Sequence, residues 1–315
     1  MKIPVFYGCN CDLTKIDLAF LNMKILPLTG RNFKNFLNKI SLRHIPWFID
    51  EIVNDKEYRL PEVGVCCRYA IIPLDINGNF DSDNWNHFQA LMVILFPSDF
   101  TLITEYHFEP YDDGFHHFGG SSHWEFNPSG DRFYDNMLIM VPNEYAFVRK
   151  FISTYFESSK TSAPLKHMID LYAASLDEFV LKYKFLNLIM CFEIILPGNY
   201  MLNYRLKRSI GLICGDNEHY CNIIMQNFNK IYDLRSDIVH GNLKVKYDNL
   251  KPYTNYCIFL LGKLLRELIV HKYNNIDEFA SRVTKAGFGQ KSKLSDNYKA
   301  LKHPILSNTP IRRPL

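Results

Sequence analysis

The chain has 315 residues, 47% of them hydrophobic and 15% aromatic, with 36 Lys and Arg against 33 Asp and Glu. This is enough for two ordinary domains with real cores, and it excludes a disordered or collagen-like chain. No run of about 18 apolar residues marks a membrane span, and Met1 to Lys15 lacks the apolar core of a secretory leader, so a cytoplasmic protein is expected. The eight cysteines are scattered without a Cys-x-x-Cys pair. Cys9 and Cys11 are too close for an easy disulfide, and the others read as reduced core residues, which suits a reducing compartment.

In chain order, Met1 to Gly8 starts as a strand, and Asn32 to Ile40 has helical apolar spacing. Ile45 to Val53 is a second short helix candidate. Pro61 to Ile76 is rich in β-branched and aromatic residues and reads as a strand. His87 to Phe96 and Phe100 to Phe108 read as two strands joined at Pro97-Ser98-Asp99, and Met137 to Val141 as one more. Glu105 to Phe126 carries His107, His116, His117 and His123 beside Asp112, Asp113 and Glu125. Its spacing fits no metal-ligand pattern, and its glycines and serines suggest a surface loop, first a plain one and second one whose aromatics and histidines contact a ligand or partner. No metal or other cofactor is assigned. Asn143 is a candidate cap for a helix running to Ser158.

Ser158 to Pro164 is the polar boundary, and the patterns after it are helical. They cover Leu165–Ser175, Asp177–Leu196 with Asp177 as a candidate cap, Leu202–Cys214, a long helix from Asn217, Pro252–His271 and Ile276–Thr284. From Phe151 onward the chain holds about 23 Lys and Arg against about 14 Asp and Glu, so the second half is basic and suited to a polyanionic partner. The expected fold class is α+β: a β-rich domain over 1–160, a helical domain over 161–284 and a basic tail over 285–315.

The long helix ends in IYDLRSDIVHG, Ile231 to Gly241. Ile223, Ile224, Phe228, Ile231 and Leu234 form its buried face, and Gly241 supplies the stop. Arg235 and His240 stand in its last turns. Five residues at about 100° each put them roughly 140° apart on an ideal helix, so they do not share a face as Ser236 and His240 do.

This stretch, together with Phe185–Pro197 and Tyr204–Ile213, resembles the HEPN superfamily, and within it the ApeA-like branch. The likeness covers about Lys166 to Lys272 and implies a helical bundle. It further implies a metal-independent RNA endonuclease working as a homodimer, with two motif helices meeting across a two-fold axis so that both chains bring Arg235 and His240 to one cleft. Arg235 is then the phosphate clamp and His240 the general acid or base. Histidine titrates near working pH, and a guanidinium keeps its charge while donating in pairs. Ser236 would orient the imidazole or touch phosphate. Glu193, an acid in an apolar helix, either holds the Arg235 guanidinium or merely fixes helix packing. Asn242 is a further supporting candidate, and Arg205, Lys207 and Arg208 are candidate RNA contacts. The branch suggests antiphage defence with the first domain as sensor or brake. The alternatives are an inactive RNA- or nucleotide-binding module and a metal-dependent activity around His107 to His123.

Overall fold

The computed structural model describes residues 1–9, 11–28, 31–40, 67–75, 83–98, 100–112, 114–122, 138–160, 162–178, 180–196, 202–241, 247–273 and 275–287. The candidate helix Ile45–Val53, the start of the Pro61–Ile76 strand, His123, Glu125, Asn242 and nearly all of the basic tail lie outside them. The chain divides into two compact units, Met1–Ser153 and Thr154–Leu315. The fold class is α+β, as expected. Among the described residues, no helix is long and apolar enough to cross a membrane.

The first unit is built on five antiparallel strands: β1 (Lys2–Cys9), β2 (Met23–Pro27), β3 (Cys67–Pro73), β4 (Thr101–Tyr111) and β5 (Gly114–Ser122), in the order β2-β3-β1-β4-β5. β1 is buried on both faces, as the continuous apolar run at its start requires. Its Ile3 and Val5 belong to a core with Phe33, Phe36 and Leu37 of helix α1 (Arg31–Lys39). Phe6 instead stacks on Phe100, with ring centroids 5.3 Å apart, and meets Phe88 edge-on at 6.0 Å.

Phe88 lies on α2 (Asp83–Leu95), which corrects the expectation of a strand over His87–Phe96. Every residue from His87 to Leu95 is buried, His87 and Gln89 included, so beyond its first turn this helix has no exposed face. An apolar run without such a face carries no period that separates helix from strand. The expected loop over Glu105–Phe126 is corrected too: it is largely the β4–β5 hairpin, paired from Thr104 with Ser122 to Tyr111 with Gly114. β5 lies at an end of the sheet order, where a strand rich in Gly, Ser and His is tolerated. Of the expected strand Met137–Val141 only residues 138–141 are described, and these form no strand beyond a single parallel bridge from Leu138 to Cys9.

Asn143 does not cap the following helix. Pro142–Glu144 forms a 3-10 turn in which the Glu144 carboxylate accepts from the Val141 N–H at 2.8 Å, and α3 (Tyr145–Ser159) continues from it. The division between the units falls inside α3.

The second unit holds α4 (Ala163–Asp177), α5 (Leu181–Ile194), α6 (Leu202–Cys214), α7 (Glu218–Val239), α8 (Tyr247–His271) and α9 (Ile276–Ala286). Ser162 caps α4, its hydroxyl accepting from the Leu165 N–H. Asp177 ends α4 rather than starting α5, and Glu178 makes the turn by accepting from the Val180 N–H at 2.8 Å. The buried Lys184 amine donates to the Leu176 carbonyl at 2.9 Å, a cation on the last turn of α4 where the helix dipole favours one. Pro252 falls inside α8 rather than at its start. The centre of α8 is apolar over most of its surface, with Leu260, Leu261, Leu264, Leu265 and Leu268 buried, and it packs on α5 and α6.

The α6–α7 turn depends on Gly215. A β-carbon there would stand 2.6 Å from the Gly211 carbonyl oxygen and 2.8 Å from the Cys221 nitrogen, backbone atoms that cannot swing aside. Gly215→Ala is expected to destabilise the second unit by about 1–3 kcal/mol, read from its denaturant midpoint.

Candidate active site

Asn217 starts α7, its side chain accepting from the Tyr220 N–H at 2.9 Å. Ile224, Phe228, Ile231, Leu234 and Ile238 are buried along one face. That burial fixes the helix rotation, so Ser236, Val239 and His240 are exposed and Arg235 is half-buried beside the core. His240 is the helix C-cap, with φ −86° and ψ 0°, and its N–H donates to the Ser236 carbonyl at 3.0 Å. The link between Ser236 and His240 therefore runs through the main chain. Gly241 leaves the helix with φ +69°, the left-handed conformation in which glycine carries no penalty.

Arg235 and Glu193 come together. A terminal guanidinium nitrogen lies 4.0 Å from a Glu193 carboxylate oxygen, with both side chains partly exposed. A closer partner is one that residue spacing did not single out: the Tyr232 hydroxyl donates to the same oxygen at 2.8 Å. Tyr232 stands three residues before Arg235, one turn down the same helix, and only this neighbourhood on the helix surface could have pointed to it. Burial, then the bond to Glu193, push the Tyr232 phenol far above its ordinary range, so it stays a donor at any working pH. Its ring rests against Phe228, which meets Phe192 of α5 edge-on at 5.2 Å. The carboxylate is thus held by the phenol, and the guanidinium touches it only at the outer limit of an ion pair. Among the described residues most of the Arg235 N–H donors have no partner, and a guanidinium fork of this kind can donate in pairs to an anion.

The basic residues of α6 divide. Arg205 donates through Nε to Asp277 at 3.1 Å and through a second nitrogen to the same oxygen, while Ser209 donates to the other Asp277 oxygen at 3.0 Å. This network pins α9 to α6. Lys207 donates to Asn229 of α7 at 2.9 Å and lies 5.9 Å over the Tyr204 ring. Arg208 is exposed. Asp277→Ala is expected to cost about 1 kcal/mol, since both partners are partly solvated. It should speed hydrogen exchange of α9 more than of α7.

In the first unit, His107 lies 3.3 Å from Glu105 on β4, with Lys2 of β1 3.8 Å from the same carboxylate. Among the described residues, no group of three or more His, Cys, Asp or Glu is gathered in a way that could hold a metal ion. Comparisons with protein-family models, curated proteins and solved structures found no match for this chain.

Proposed function

We propose that the chain is a metal-independent RNA endonuclease that works as a homodimer through Arg235 and His240. The observation that carries this reading is the end of α7: a half-buried guanidinium beside Glu193, whose carboxylate Tyr232 holds, followed five residues later by an exposed imidazole at the helix cap. Cleavage in which the ribose 2′-hydroxyl attacks the adjacent phosphorus needs a base for that hydroxyl, an acid for the leaving 5′-oxygen and a cation for the phosphorane charge. Two chains meeting at this end supply two imidazoles, one for each proton transfer, and two guanidinium groups for the charge. The products carry 2′,3′-cyclic phosphate and 5′-hydroxyl ends.

Met190 stands one turn before Glu193, and Val239 one turn after Arg235; they are 51% and 52% exposed. Apolar side chains beside the charged cluster suit the two-fold contact this mechanism requires. The HEPN resemblance points the same way and suggests antiphage defence, with the first unit as sensor or brake, Ser236 and Asn242 as supporting residues of the site, and the exposed Arg208 as a further RNA contact.

One observation favours a second reading, an RNA-binding module without catalysis: the Tyr232–Glu193–Arg235 link also ties α7 to α5 and would serve packing alone. The test incubates the full chain with total tRNA and mixed single-stranded RNA in EDTA, maps the product ends and measures mass in solution. Cutting with cyclic-phosphate ends by a dimer supports the nuclease. RNA retention without cutting leaves the binding module, and cutting that EDTA abolishes defeats the mechanism.

A further inference from the structure

Glu193 stands where a carboxylate is disfavoured. It lies in the last turn of α5, at the partly negative end of the helix, and its side chain is only 24% exposed. It therefore needs donors, and α7 offers two from one ridge, Tyr232 and Arg235, three residues apart. Both approach the same oxygen, Oε1, at unequal range: the phenol at 2.8 Å and the nearest guanidinium nitrogen at 4.0 Å. An arginine facing a carboxylate commonly closes to about 2.7–2.9 Å with two parallel bonds. Arg235 stops short of that.

We propose, on the reading of Arg235 as a phosphate clamp, that Tyr232 is its positioning residue: the Tyr232 hydroxyl keeps the Glu193 carboxylate from closing on the guanidinium, so the acid steers Arg235 by charge while the fork stays open to a phosphate. The hydroxyl can do this because its place is fixed. The Tyr232 ring lies 5.2 Å from the ring of Phe228, which is fully buried and meets Phe192 of α5 edge-on. The phenol also keeps its proton, since burial and then the neighbouring acid raise its pKa far above the ordinary range. It therefore donates to Glu193 and brings no second negative charge to the place where a phosphate binds.

Tyr232→Phe removes one oxygen atom and leaves the ring against Phe228. Glu193 then has Arg235 as its only side-chain partner among the described residues. A partly buried carboxylate without another donor draws in the nearest cation. The closed pair occupies the paired donors and sets a negative oxygen beside the incoming phosphate, so anion binding weakens. A role in packing alone has the opposite signature: loosening the contact between α5 and α7 would free Arg235, whereas losing this hydrogen bond captures it.

The test treats the full chain with phenylglyoxal, which adds to guanidinium groups without close partners, and follows each arginine over time by mass spectrometry. In the unaltered chain Arg235 should react faster than Arg205, which Asp277 holds through two nitrogens. In Tyr232→Phe, Arg235 should slow by at least about threefold, and adding Glu193→Gln should restore it, because the amide has no charge with which to close the pair. Glu193→Gln alone should leave Arg235 at least as reactive as in the unaltered chain. The same variants are compared on single-stranded RNA in EDTA. Tyr232→Phe should raise KM by about tenfold, the scale of one hydrogen bond to a charged group, and lower kcat by less; the double variant should regain the KM. Arg235 reacting no faster than Arg205 in the unaltered chain, Arg235 reacting as fast in Tyr232→Phe, no recovery in the double variant, or slowing in Glu193→Gln alone overturns the proposal. A chain that does not cut RNA defeats the nuclease reading instead, and the labelling of Arg235 still decides the role of Tyr232.

Discussion

His240→Ala is expected to lower RNA cleavage by about 10²–10⁴-fold, the usual contribution of a positioned proton-transfer group. His240 is exposed at the cap of α7, and its main-chain bond to Ser236 does not involve the ring. The substitution therefore removes chemistry and leaves packing alone. Arg235→Ala is expected to abolish cutting to a similar extent, but with a different signature. Losing a phosphate donor weakens RNA retention as well as turnover, and it leaves Glu193 with Tyr232 as its remaining close partner. Arg235→Lys keeps the charge and loses the paired donors, so it should recover retention more than rate. The measurement is single-turnover cleavage beside RNA retention, with circular dichroism and solution mass to show that each variant is folded and keeps the assembly state of the unaltered chain. Either alanine variant cutting as fast as the unaltered chain places the active site elsewhere.

Phe228→Ala is expected to be the most destabilising single change near the site, at about 3–5 kcal/mol. The ring is fully buried, meets Phe192 edge-on and supports the Tyr232 ring at 5.2 Å. Truncation leaves a cavity where α7 rests on α5, and it removes the shelf that aims the Tyr232 hydroxyl at Glu193. Hydrogen exchange should rise across α5, α7 and α8 together, because a loss of this size exceeds a local opening. Phe228→Leu keeps most of the volume and should cost about 1 kcal/mol. If Phe228→Ala and Phe228→Leu exchange alike, the ring contact is not what holds the two helices.

The helical half is largely legible in the sequence. The bounds of Leu202–Cys214 and the Asn217 start of α7 follow to the residue from a polar cap or a chain break at the edge of a clear apolar period. The first half was harder. α2 is buried on all sides and so carries no stripe, and β5 is made of residues that usually mark loops. At the caps, Asp177 and Asn143 are of the favoured types, but Glu178 and Glu144 took the exposed N–H groups instead. At the candidate site, Arg235, Glu193 and His240 stood out as residue types. What joins them did not: Tyr232 comes from the turn below, and the capture of Arg205 by Asp277 spans 72 residues, which no local pattern reveals.

Gly241 sets a requirement of handedness on the chain. A β-carbon at this position would meet no atom within 4 Å, so there is room for a side chain, and what excludes one is the positive φ alone. The requirement is therefore stereochemical: an L-alanine is strained here by roughly 1–2 kcal/mol, whereas its mirror image would fit the same backbone without strain. A chain assembled with D-alanine at 241 should keep His240 where glycine puts it. The last letter of the motif specifies the direction in which the main chain leaves the imidazole.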